Sequence, residues 1–550
     1  MAPKLMFAAA RSVAAAAVIA LAAIGPTGCG RNPADTTAAG PIQGLSPTTP
    51  PAVGDTGTVT WATYRDVTTL DPIQAVDYPE RTVITALCDS LLQEHPDGTY
   101  GPGLASRVSK PDPRTIVLTI DTDARFWDGR PVTPEDVAFS LGRNLDPRLL
   151  GLYGQVFENV RSISVTGPDE VTISLSRPDS WLEGELSAMP GIVLEKRYVR
   201  AAGSAFGTPR GGTMCTGAFK LDSWEPGSAL TAVRNGGYWD RKLKPKAGEL
   251  VFRGVPDDAS LTSGLLTGEI SGSYPPPLTT LDQLEGSDAV NVYEGPSFAT
   301  DSFVISSLAG PLGKPEVRRG LSLGLDRSAY IDAVYGGHAQ LPRTLANPGS
   351  WGYAREVFQE DWNRLPEPRQ DVATGRRLVR AAGAEGETLV IGTSPQINVV
   401  QTAANLIRQA AEAVGLKVEF RSVSATNYIG FFTDAKAREG VDGFPSINFP
   451  DFADPASLYT QLAARNGVQN FSGFDDPQIR AALNGARAAS DPRRRAALTT
   501  RAGDLIMRRL PWIPLALPTE IVVMKSDITG APSSFQYMGG PWATTIGSSG

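Results

Sequence analysis

Histidine is scarce in this sequence, since the 550 residues include only His95 and His338. Neither has a second metal-ligating side chain at the spacing of a metal site, so the sequence predicts no metal centre. A catalytic triad that depends on histidine is not expected, and the hydrolase pattern S-x-x-K is absent. We therefore expect a protein that is not an enzyme and that binds no cofactor.

The sequence also lacks an excess of positive charge. Lys and Arg number 51 against 58 Asp and Glu, which gives a net charge of −7, so nucleic acid is not an expected partner. The apolar run at residues 13–24 is too short for a comfortable membrane span. Because Lys4 and Arg11 place positive charge before and at the start of this run, residues 1–28 are predicted to be a signal peptide.

Cysteine is rare as well, with copies only at Cys29, Cys88 and Cys215. The sequence PTGC at 26–29 resembles a bacterial lipobox, whose cysteine is lipidated at the new N-terminus, although Pro26 stands where leucine is usual. The alternative is an ordinary signal peptide followed by an incidental cysteine. If Cys29 carries lipid, an oxidising compartment leaves Cys88 and Cys215 to form a disulfide. Two buried free thiols are the alternative for this pair.

Residues 29–57 are rich in Pro, Thr, Ala and Gly and contain almost no large apolar residue. This composition predicts a disordered tether. Its part from residue 31 to residue 57, about 27 residues, would have an r.m.s. reach of roughly 25 to 30 Å. Lipid at Cys29 together with this tether predicts a domain anchored on the extracytoplasmic side of the cell membrane.

The most informative local pattern covers residues 114–141. Residues 115–120 alternate and are rich in β-branched side chains, which predicts a strand. A tight turn is expected to end at Gly129, which can take positive φ. Thr133 then caps a predicted helix, with Pro134 at its first position and Asp136 three residues after the cap.

The letters FWDGRPVTPEDVAFSL at 126–141 resemble the signature of the family 5 extracellular solute-binding proteins, the dipeptide, oligopeptide and nickel binders of ABC importers. Other segments resemble further motifs of that family, so the resemblance extends from about residue 59 to about residue 514. These segments are LDP at 70–72, GLA at 103–105, TGAF at 216–219, RN at 234–235, YWD at 238–240, TGEI at 267–270, VRRGL at 317–321 and PWIPL at 511–515.

The resemblance implies an α/β fold: a two-lobe periplasmic-binding-protein fold of type II with a hinged cleft and an extra subdomain in the first lobe. The core of lobe I is then expected at residues 58–85, 206–296 and 509–550. Residues 86–205 are expected to form the inserted subdomain, and residues 297–508 lobe II.

The same resemblance indicates a ligand site in lobe II. The sequence NFPDFADP at 448–455 resembles the segment W-x-A-D-Y-x-D-P of peptide binders, whose first Asp holds the ligand's α-ammonium group; the matching residue is Asp451. A carboxylate in a closing cleft that excludes water forms a strong charge-assisted bond to an ammonium. Phe449 and Phe452 beside it are predicted to line the cleft. The alternative is that Asp451 only caps or lines a turn.

In lobe I, the residues Val76, Asp77 and Tyr78 match positions that offer backbone groups to an extended peptide. Main-chain hydrogen bonds ignore side-chain identity, so such a site accepts many sequences. Tyr153 lies near the position of a family aromatic that lines the cleft. A core residue of the subdomain is the alternative interpretation of Tyr153.

The sequence departs from the family pattern at a position that would bind the C-terminal carboxylate of the ligand. Some oligopeptide binders carry an Arg six residues before the ammonium-binding Asp, and that position is Pro445 here. Positive charge for a ligand carboxylate would then come from Lys436 or Arg438, or would be missing. The N-terminus of a peptide is therefore the better supported recognition point.

These inferences predict a monomeric, lipid-anchored substrate-binding protein that captures short peptides by closure of its lobes. It would deliver them to ABC permease subunits in the membrane, driven by cytoplasmic ATPases. One alternative keeps the fold and changes the ligand to haem, a sugar or a metal chelate, although the scarcity of histidine argues against direct ligation of haem or nickel. Another alternative is a secreted hydrolase whose site has no recognised motif.

Overall fold

The computed structural model describes residues 44–75 and 77–550, which belong to one compact unit. The predicted signal peptide, the predicted lipidation site Cys29 and the first part of the predicted tether lie outside the described residues, as does Val76. Within the described ranges, no helix is long and apolar enough to cross a membrane.

Lobe I is built on a mixed sheet around the strand Thr56–Thr63, which pairs in parallel with a neighbour on each side. Trp61 on this strand is fully buried, and its ring lies 5.0 Å from that of Tyr274 and 4.7 Å from that of Trp542. These large rings fill the core beneath the sheet. In spatial order the strands are Val290–Gly295, Glu520–Lys525, Gly272–Ser273, Thr56–Thr63, Ala247–Gly254, Ala229–Arg234 and Phe219–Glu225. The helices are Tyr78–Leu87, Asp258–Thr267 and Leu281–Glu285.

Lobe II is built on a second mixed sheet whose strand Thr300–Ile305 is buried along its whole length. Phe303 and Ile305 pack into one apolar cluster and Val304 into another, because alternate side chains of a strand point to opposite faces. In spatial order the strands are Ala339–Gln340, Trp512–Pro518, Thr300–Ile305, Gly443–Asn448, Thr388–Thr393 and Lys417–Ser422. The helices are Pro315–Gly324, Arg327–Tyr335, Arg355–Arg364, Val372–Ala381, Asn398–Ala413, Ala425–Tyr428, Gly430–Thr433, Pro455–Ala463, Pro477–Ala488 and Pro492–Arg509.

The strand Trp512–Pro518 corrects the predicted division of the chain. Residues from 509 onward were expected in lobe I, but this strand pairs antiparallel with Thr300–Ile305 of lobe II. The chain returns to lobe I only between Pro518 and Glu520, where the next strand begins. The family motif PWIPL predicts a strand, but it does not reveal which sheet will accept that strand's hydrogen bonds.

Two short segments connect the lobes, residues 296–299 and Thr519, and they lie side by side. The side-chain amide of Asn347 donates to the carbonyl of Ala299 and to that of Pro518, both at 2.8 Å. The Ser297 hydroxyl on one segment donates to Oε2 of Glu520 beside the other (3.1 Å). These bonds hold the two connections at a fixed spacing, which makes them the natural axis for any movement of one lobe against the other.

The inserted subdomain contains a four-stranded antiparallel sheet, and its local structure agrees with the sequence. The predicted strand is Thr115–Ile120, and Gly129 takes a φ of +86°. The capping box is confirmed: the hydroxyl of Thr133 accepts from the N–H of Asp136 (3.2 Å), and the carboxylate of Asp136 accepts from the N–H of Thr133 (3.1 Å). The strands in spatial order are Ala105–Asp112, Thr115–Ile120, Glu170–Leu175 and Val160–Val165, and the helices are Pro134–Arg143, Leu182–Glu185 and Lys196–Ala202.

The described end of the predicted tether, residues 44–57, is docked on lobe I. The Thr49 hydroxyl donates to the carbonyl of Ala531 (2.8 Å), and the N–H of Val53 donates to that of Ser548 (2.9 Å). The prediction of a disordered tether is therefore wrong for residues 44–57. Composition did not reveal this contact, because the partners come from the C-terminal segment. Two short strand pairs complete the structure, Leu92–Glu94 with Tyr100–Pro102 and Ile528–Thr529 with Gly547–Ser548.

Cys88 and Cys215 form a disulfide, with their Cα atoms 4.9 Å apart, which excludes the alternative of two free thiols. Cys88 directly follows the helix Tyr78–Leu87. Gly217 passes so close to the end of this helix that a Cβ there would lie 2.3 Å from the carbonyl oxygen of Leu87, so a larger residue would force the backbone apart. The disulfide and this contact together fix the end of the helix against the lobe I sheet.

Candidate functional site

Asp451 lies in the loop between the lobe II strand Gly443–Asn448 and the helix Pro455–Ala463. The loop ends at Asp454, whose side chain caps the helix by accepting a backbone N–H of the first turn at 2.9 Å. This fixed start holds Asp451 against the lobe I helix Tyr78–Leu87.

Arg81 on the lobe I helix forms an ion pair with Asp451 across the interface between the lobes. Its Nη1 lies 3.0 Å from Oδ1 of Asp451, and its Nη2 donates to the main-chain carbonyl of the same residue (3.4 Å). The guanidinium also donates through Nε to the carbonyl of Met538 (3.2 Å), and the side chain is 1% exposed. Opposite charges from the two lobes therefore meet where little water screens them.

The second oxygen of Asp451, Oδ2, has weaker hydrogen bonding than Oδ1. Of the described residues, Gln461 makes the hydrogen bond to it, and the Nε2–Oδ2 distance is a long 3.5 Å. Burial raises the pKa of the Asp451 carboxyl, and the charge of Arg81 opposes that shift. An oxygen with one weak donor can still accept a stronger one, such as an ammonium group.

Two further buried carboxyls, Glu185 and Glu94, lie close enough to feel these charges. Oε2 of Glu185 has no hydrogen-bond partner among the described residues. Burial, reinforced by the charge of Asp451, raises the pKa of Glu185 well above its usual value. Burial raises the pKa of Glu94 to about 8, with Arg81 opposing. The Arg81 guanidinium is thus shared by three carboxyls, with the charge of Arg487 also acting on Glu185. Because burial still raises the pKa of each carboxyl, the site favours protonated Glu side chains or the entry of another cation.

Aromatic rings from both lobes surround the ion pair. The ring of Phe449 in lobe II lies 5.2 Å from Tyr78 and 5.0 Å from Phe535, both of lobe I. The Arg81 guanidinium lies over the Phe449 ring at 5.4 Å, a cation–π contact. Phe449 and Tyr78, predicted from opposite ends of the chain, therefore meet at the same place.

Two other residues predicted to line the cleft are buried among protein groups. Phe452 is fully buried and packs against Gly184, where a Cβ would lie 2.2 Å from its ring. In this structure it offers no surface to a ligand, which corrects the expectation. Tyr153 is also buried, and its hydroxyl donates to the carbonyl of Ala75 (2.6 Å), so it supports the segment just before the lobe I helix.

The other residues predicted to contact the ligand have different surroundings in the structure. Asp77 caps the lobe I helix and forms an ion pair with Arg65 (2.6 Å); its neighbour Val76 lies outside the described residues. Arg438 donates to a backbone carbonyl of its own lobe (2.8 Å) and lies 4.2 Å from an aromatic ring there, whereas Lys436 is exposed. The cation at the centre of the site is therefore neither of the two residues proposed from sequence.

Arg81, Glu185 and Glu94 were missed by sequence reasoning. Arg81 is 370 residues from its partner, and nothing in the local pattern of its helix sets it apart. The available signal was weak: a charged residue on an otherwise apolar helix face requires a partner when that face is buried.

A string with the letters of a hydrolase nucleophile motif, G-x-S-x-G, occurs at 320–324. It lies inside the helix Pro315–Gly324, and the Ser322 hydroxyl accepts a hydrogen bond from Arg327 (2.9 Å). A nucleophile elbow requires a sharp turn between a strand and a helix, so this string has no catalytic geometry. Among residues 44–75 and 77–550, no group of three or more His, Cys, Asp or Glu side chains could hold a metal ion.

The carboxyl of Glu520, beside the connecting segments, is expected to make the stability of the protein depend on pH. Burial raises its pKa to about 8, and the nearby titratable groups are the phenols of Tyr78, Tyr274 and Tyr537. Between about pH 4.3 and about pH 8 the unfolded chain ionises this group while the folded protein keeps the proton, so stability falls as pH rises. Glu520→Gln should remove a slope of about 1.4 kcal/mol per pH unit in this window.

Urea unfolding of wild type and Glu520→Gln at several pH values within this window would measure that slope. The exposed Glu419→Gln is the matched control and should keep the wild-type slope. Parallel stability curves for wild type and Glu520→Gln would show that Glu520 is already ionised in the folded protein.

Two α/β lobes joined by two short connections, with charged and aromatic groups facing each other between them, define a hinged solute-binding protein. Comparisons with known proteins agree. The family model "Bacterial extracellular solute-binding proteins, family 5 Middle" matches residues 99–470. The chain belongs to this family, which confirms the resemblance and the predicted fold. Members of the family bind solutes for transport and are not enzymes.

Individual relatives are distant but similar over most of their length. The chain is 24% identical over 490 residues to "Probable di/tripeptide-binding protein 5" of Pseudomonas aeruginosa, covering 83% of this chain and 90% of that protein. The periplasmic binding protein DppA of Helicobacter pylori, solved with the peptide STSA, superposes with a TM-score of 0.79 at 21% identity, covering 90% and 99%. The murein tripeptide binding protein MppA of Escherichia coli gives a TM-score of 0.76 at 21% identity, with the same coverage.

Proposed function

We propose that this protein captures short peptides between its lobes and that Oδ2 of Asp451 binds the ligand's α-ammonium group. The observation that carries the proposal is the state of this carboxylate: Arg81 occupies Oδ1, whereas Oδ2 has only the long contact with Gln461. An ammonium at Oδ2 gains a charge-assisted hydrogen bond where water is excluded. Relatives named for di/tripeptide and murein tripeptide binding support peptides as the ligand class.

The aromatic rings of Phe449 and Tyr78 would flank the first residue of such a ligand, one from each lobe. Their contact in the present structure is an edge-to-face contact of aromatic rings, so a peptide can replace it with contacts of the same kind when the lobes separate and close again. Binding energy would then come from the terminal charge, from main-chain hydrogen bonds and from excluded water.

We also propose that the captured peptide is delivered to ABC permease subunits in the membrane, driven by cytoplasmic ATPases. The predicted signal peptide and the lipobox-like sequence ending at Cys29 support a lipid anchor on the extracytoplasmic side of the membrane. We further propose that the anchored protein is a monomer. The docked residues 44–57 would leave residues 29–43 as the tether between lipid and lobe I.

The proposal is tested by mass spectrometry of the small molecules that co-purify with the chain expressed from residue 30. The protein is denatured, extracted, and the released molecules are identified. A series of short peptides with varied side chains is expected and would also give the preferred length. A single non-peptide species, such as haem, a sugar or a metal chelate, would reject the peptide proposal and the role of Asp451 while leaving the fold intact.

A further inference from the structure

Residues 179–185, which we call the clasp segment, lie at the edge of the inserted subdomain and contact lobe II. The N–H of Ser180 donates to the carbonyl of Arg487 (2.8 Å), and its hydroxyl donates to that of Ala486 (3.2 Å). Both acceptors belong to the end of the lobe II helix Pro477–Ala488. The clasp segment is therefore bonded by its backbone to a lobe that is connected to the rest of the chain only at residues 296–299 and 519 among the described residues.

Arg487 forms the charged centre of this contact. Its guanidinium lies 2.7 Å from Oδ2 of Asp179 in the clasp segment and 2.5 Å from Oε1 of Glu158 in the subdomain. It also donates to the carbonyl of Val156 (3.0 Å) and lies over the ring of Trp181 at 5.1 Å. The side chain of Asp179 is 1% exposed and that of Arg487 is 8% exposed, so this is a buried ion pair between two parts of the chain.

Arg495 links the same segment to the proposed ligand site. Its Nη1 donates to the carbonyl of Ser180 (3.1 Å), while its Nη2 lies 2.8 Å from Oδ2 of Asp454. Asp454 ends the loop that carries Asp451 and caps the following helix. One guanidinium therefore contacts both the clasp segment and the loop whose carboxylate faces lobe I.

Apolar contacts accompany the charged ones. Trp181 of the clasp segment packs into an apolar cluster of lobe II, and Gly184 lies directly under the ring of Phe452. Phe452 is the residue after Asp451, so the clasp segment contacts the loop directly beside the proposed ammonium site. Glu185 at the end of the segment brings its buried carboxyl into the field of Asp451.

We propose that the clasp segment closes on lobe II when the lobes close on a ligand, and that Arg487 and Arg495 act as positioning residues for the Asp451 loop. The inference rests on the proposed capture of peptides between the lobes. Charged groups return to water at low cost, so an interface built on ion pairs can open repeatedly. Removing one partner leaves a buried charge unpaired in the closed state only, and this shifts the population toward the open state.

The test compares Arg487→Met with Arg480→Met. Arg480 lies on the same helix, but its ion-pair partner Asp475 belongs to lobe II. With tri-alanine as the probe, Arg487→Met should raise the Kd about tenfold to a hundredfold, while thermal unfolding of the ligand-free protein stays within about a degree of wild type. Arg480→Met should change neither quantity. Asp179→Asn should give a smaller rise in Kd, and it replaces Arg487→Met if that variant fails to fold.

Two results would reject the clasp. One is an unchanged Kd, and the other is a rise in Kd accompanied by a loss of ligand-free stability, which would mean that the ion pair never opens. If wild type binds neither tri-alanine nor any peptide found by mass spectrometry, the peptide proposal itself has failed, and the clasp is then tested by X-ray scattering with the non-peptide solute that co-purifies with the protein. Adding that solute should reduce the radius of gyration of wild type more than that of Arg487→Met, and equal reductions reject the clasp.

Discussion

Asp451→Asn is expected to raise the Kd for a short peptide roughly 10- to 150-fold, which corresponds to about 1.5 to 3 kcal/mol, the value of a hydrogen bond to a charged group. The substitution keeps the shape of the side chain and a carbonyl oxygen for Arg81, but it removes the negative charge that would attract an ammonium. Isothermal titration with tri-alanine, or with the peptide identified by mass spectrometry, measures the change.

The matched control is Asp434→Asn, an exposed carboxylate of the same lobe, which should bind as wild type does. N-acetylated tri-alanine gives a second comparison, because it carries no α-ammonium. Asp451→Asn should weaken the acetylated peptide by a smaller factor than the free peptide, because both lose the ion pair between Asp451 and Arg81 but only the free peptide loses the partner of its ammonium. If Asp451→Asn binds the free peptide as tightly as wild type, the carboxylate only lines its loop and pairs with Arg81.

Loss of the disulfide between Cys88 and Cys215 is expected to lower the free energy of unfolding by about 4 to 5 kcal/mol. The bond closes a loop with a sequence separation of 127 residues, and the chain-entropy model gives this value for a loop of that length. The effect arises mainly in the unfolded chain, which gains freedom when the bond is absent. Urea unfolding of Cys88→Ala/Cys215→Ala against wild type measures it.

Reduced wild-type protein is the control for the volume lost in the double alanine variant. Both should unfold at similarly lower urea concentrations, because both remove the same constraint. A loss below about 1 kcal/mol would indicate that the reduced, unfolded chain already keeps these segments together. Ligand affinity gives a second readout, since the bond holds the end of the helix that carries Arg81 and Tyr78.

The two functional experiments report on different parts of one closing movement. Asp451 would contact the ligand directly, whereas Arg487 lies on the far side of the Asp451 loop and contacts the inserted subdomain. Asp451→Asn should therefore have a smaller effect with an acetylated peptide than with the free one, while Arg487→Met should weaken free and acetylated peptides by the same factor. This difference separates ligand recognition from closure of the lobes.

The sequence by itself determined the local structure and the family. The helix that begins after Thr133 could be predicted because Thr133, Pro134 and Asp136 lie within four residues and satisfy each other's backbone groups. The strand Thr115–Ile120 could be predicted for the same reason, because the alternation of its side chains is a pattern of neighbouring residues. The motif around Asp451 also pointed to a loop that faces lobe I.

Only the tertiary structure decided what faces Asp451 and which sheet accepts each strand. Arg81 and Asp451 are 370 residues apart, Arg487 and Asp179 are 308 apart, and Trp512–Pro518 joins a sheet whose next strand begins at Thr300. Such contacts form because a buried charge or an open strand edge takes the partner that the folded chain brings near it. No pattern of neighbouring residues identifies that partner. The local elements were therefore predictable, whereas the ion pairs and the sheet that Trp512–Pro518 joins were not.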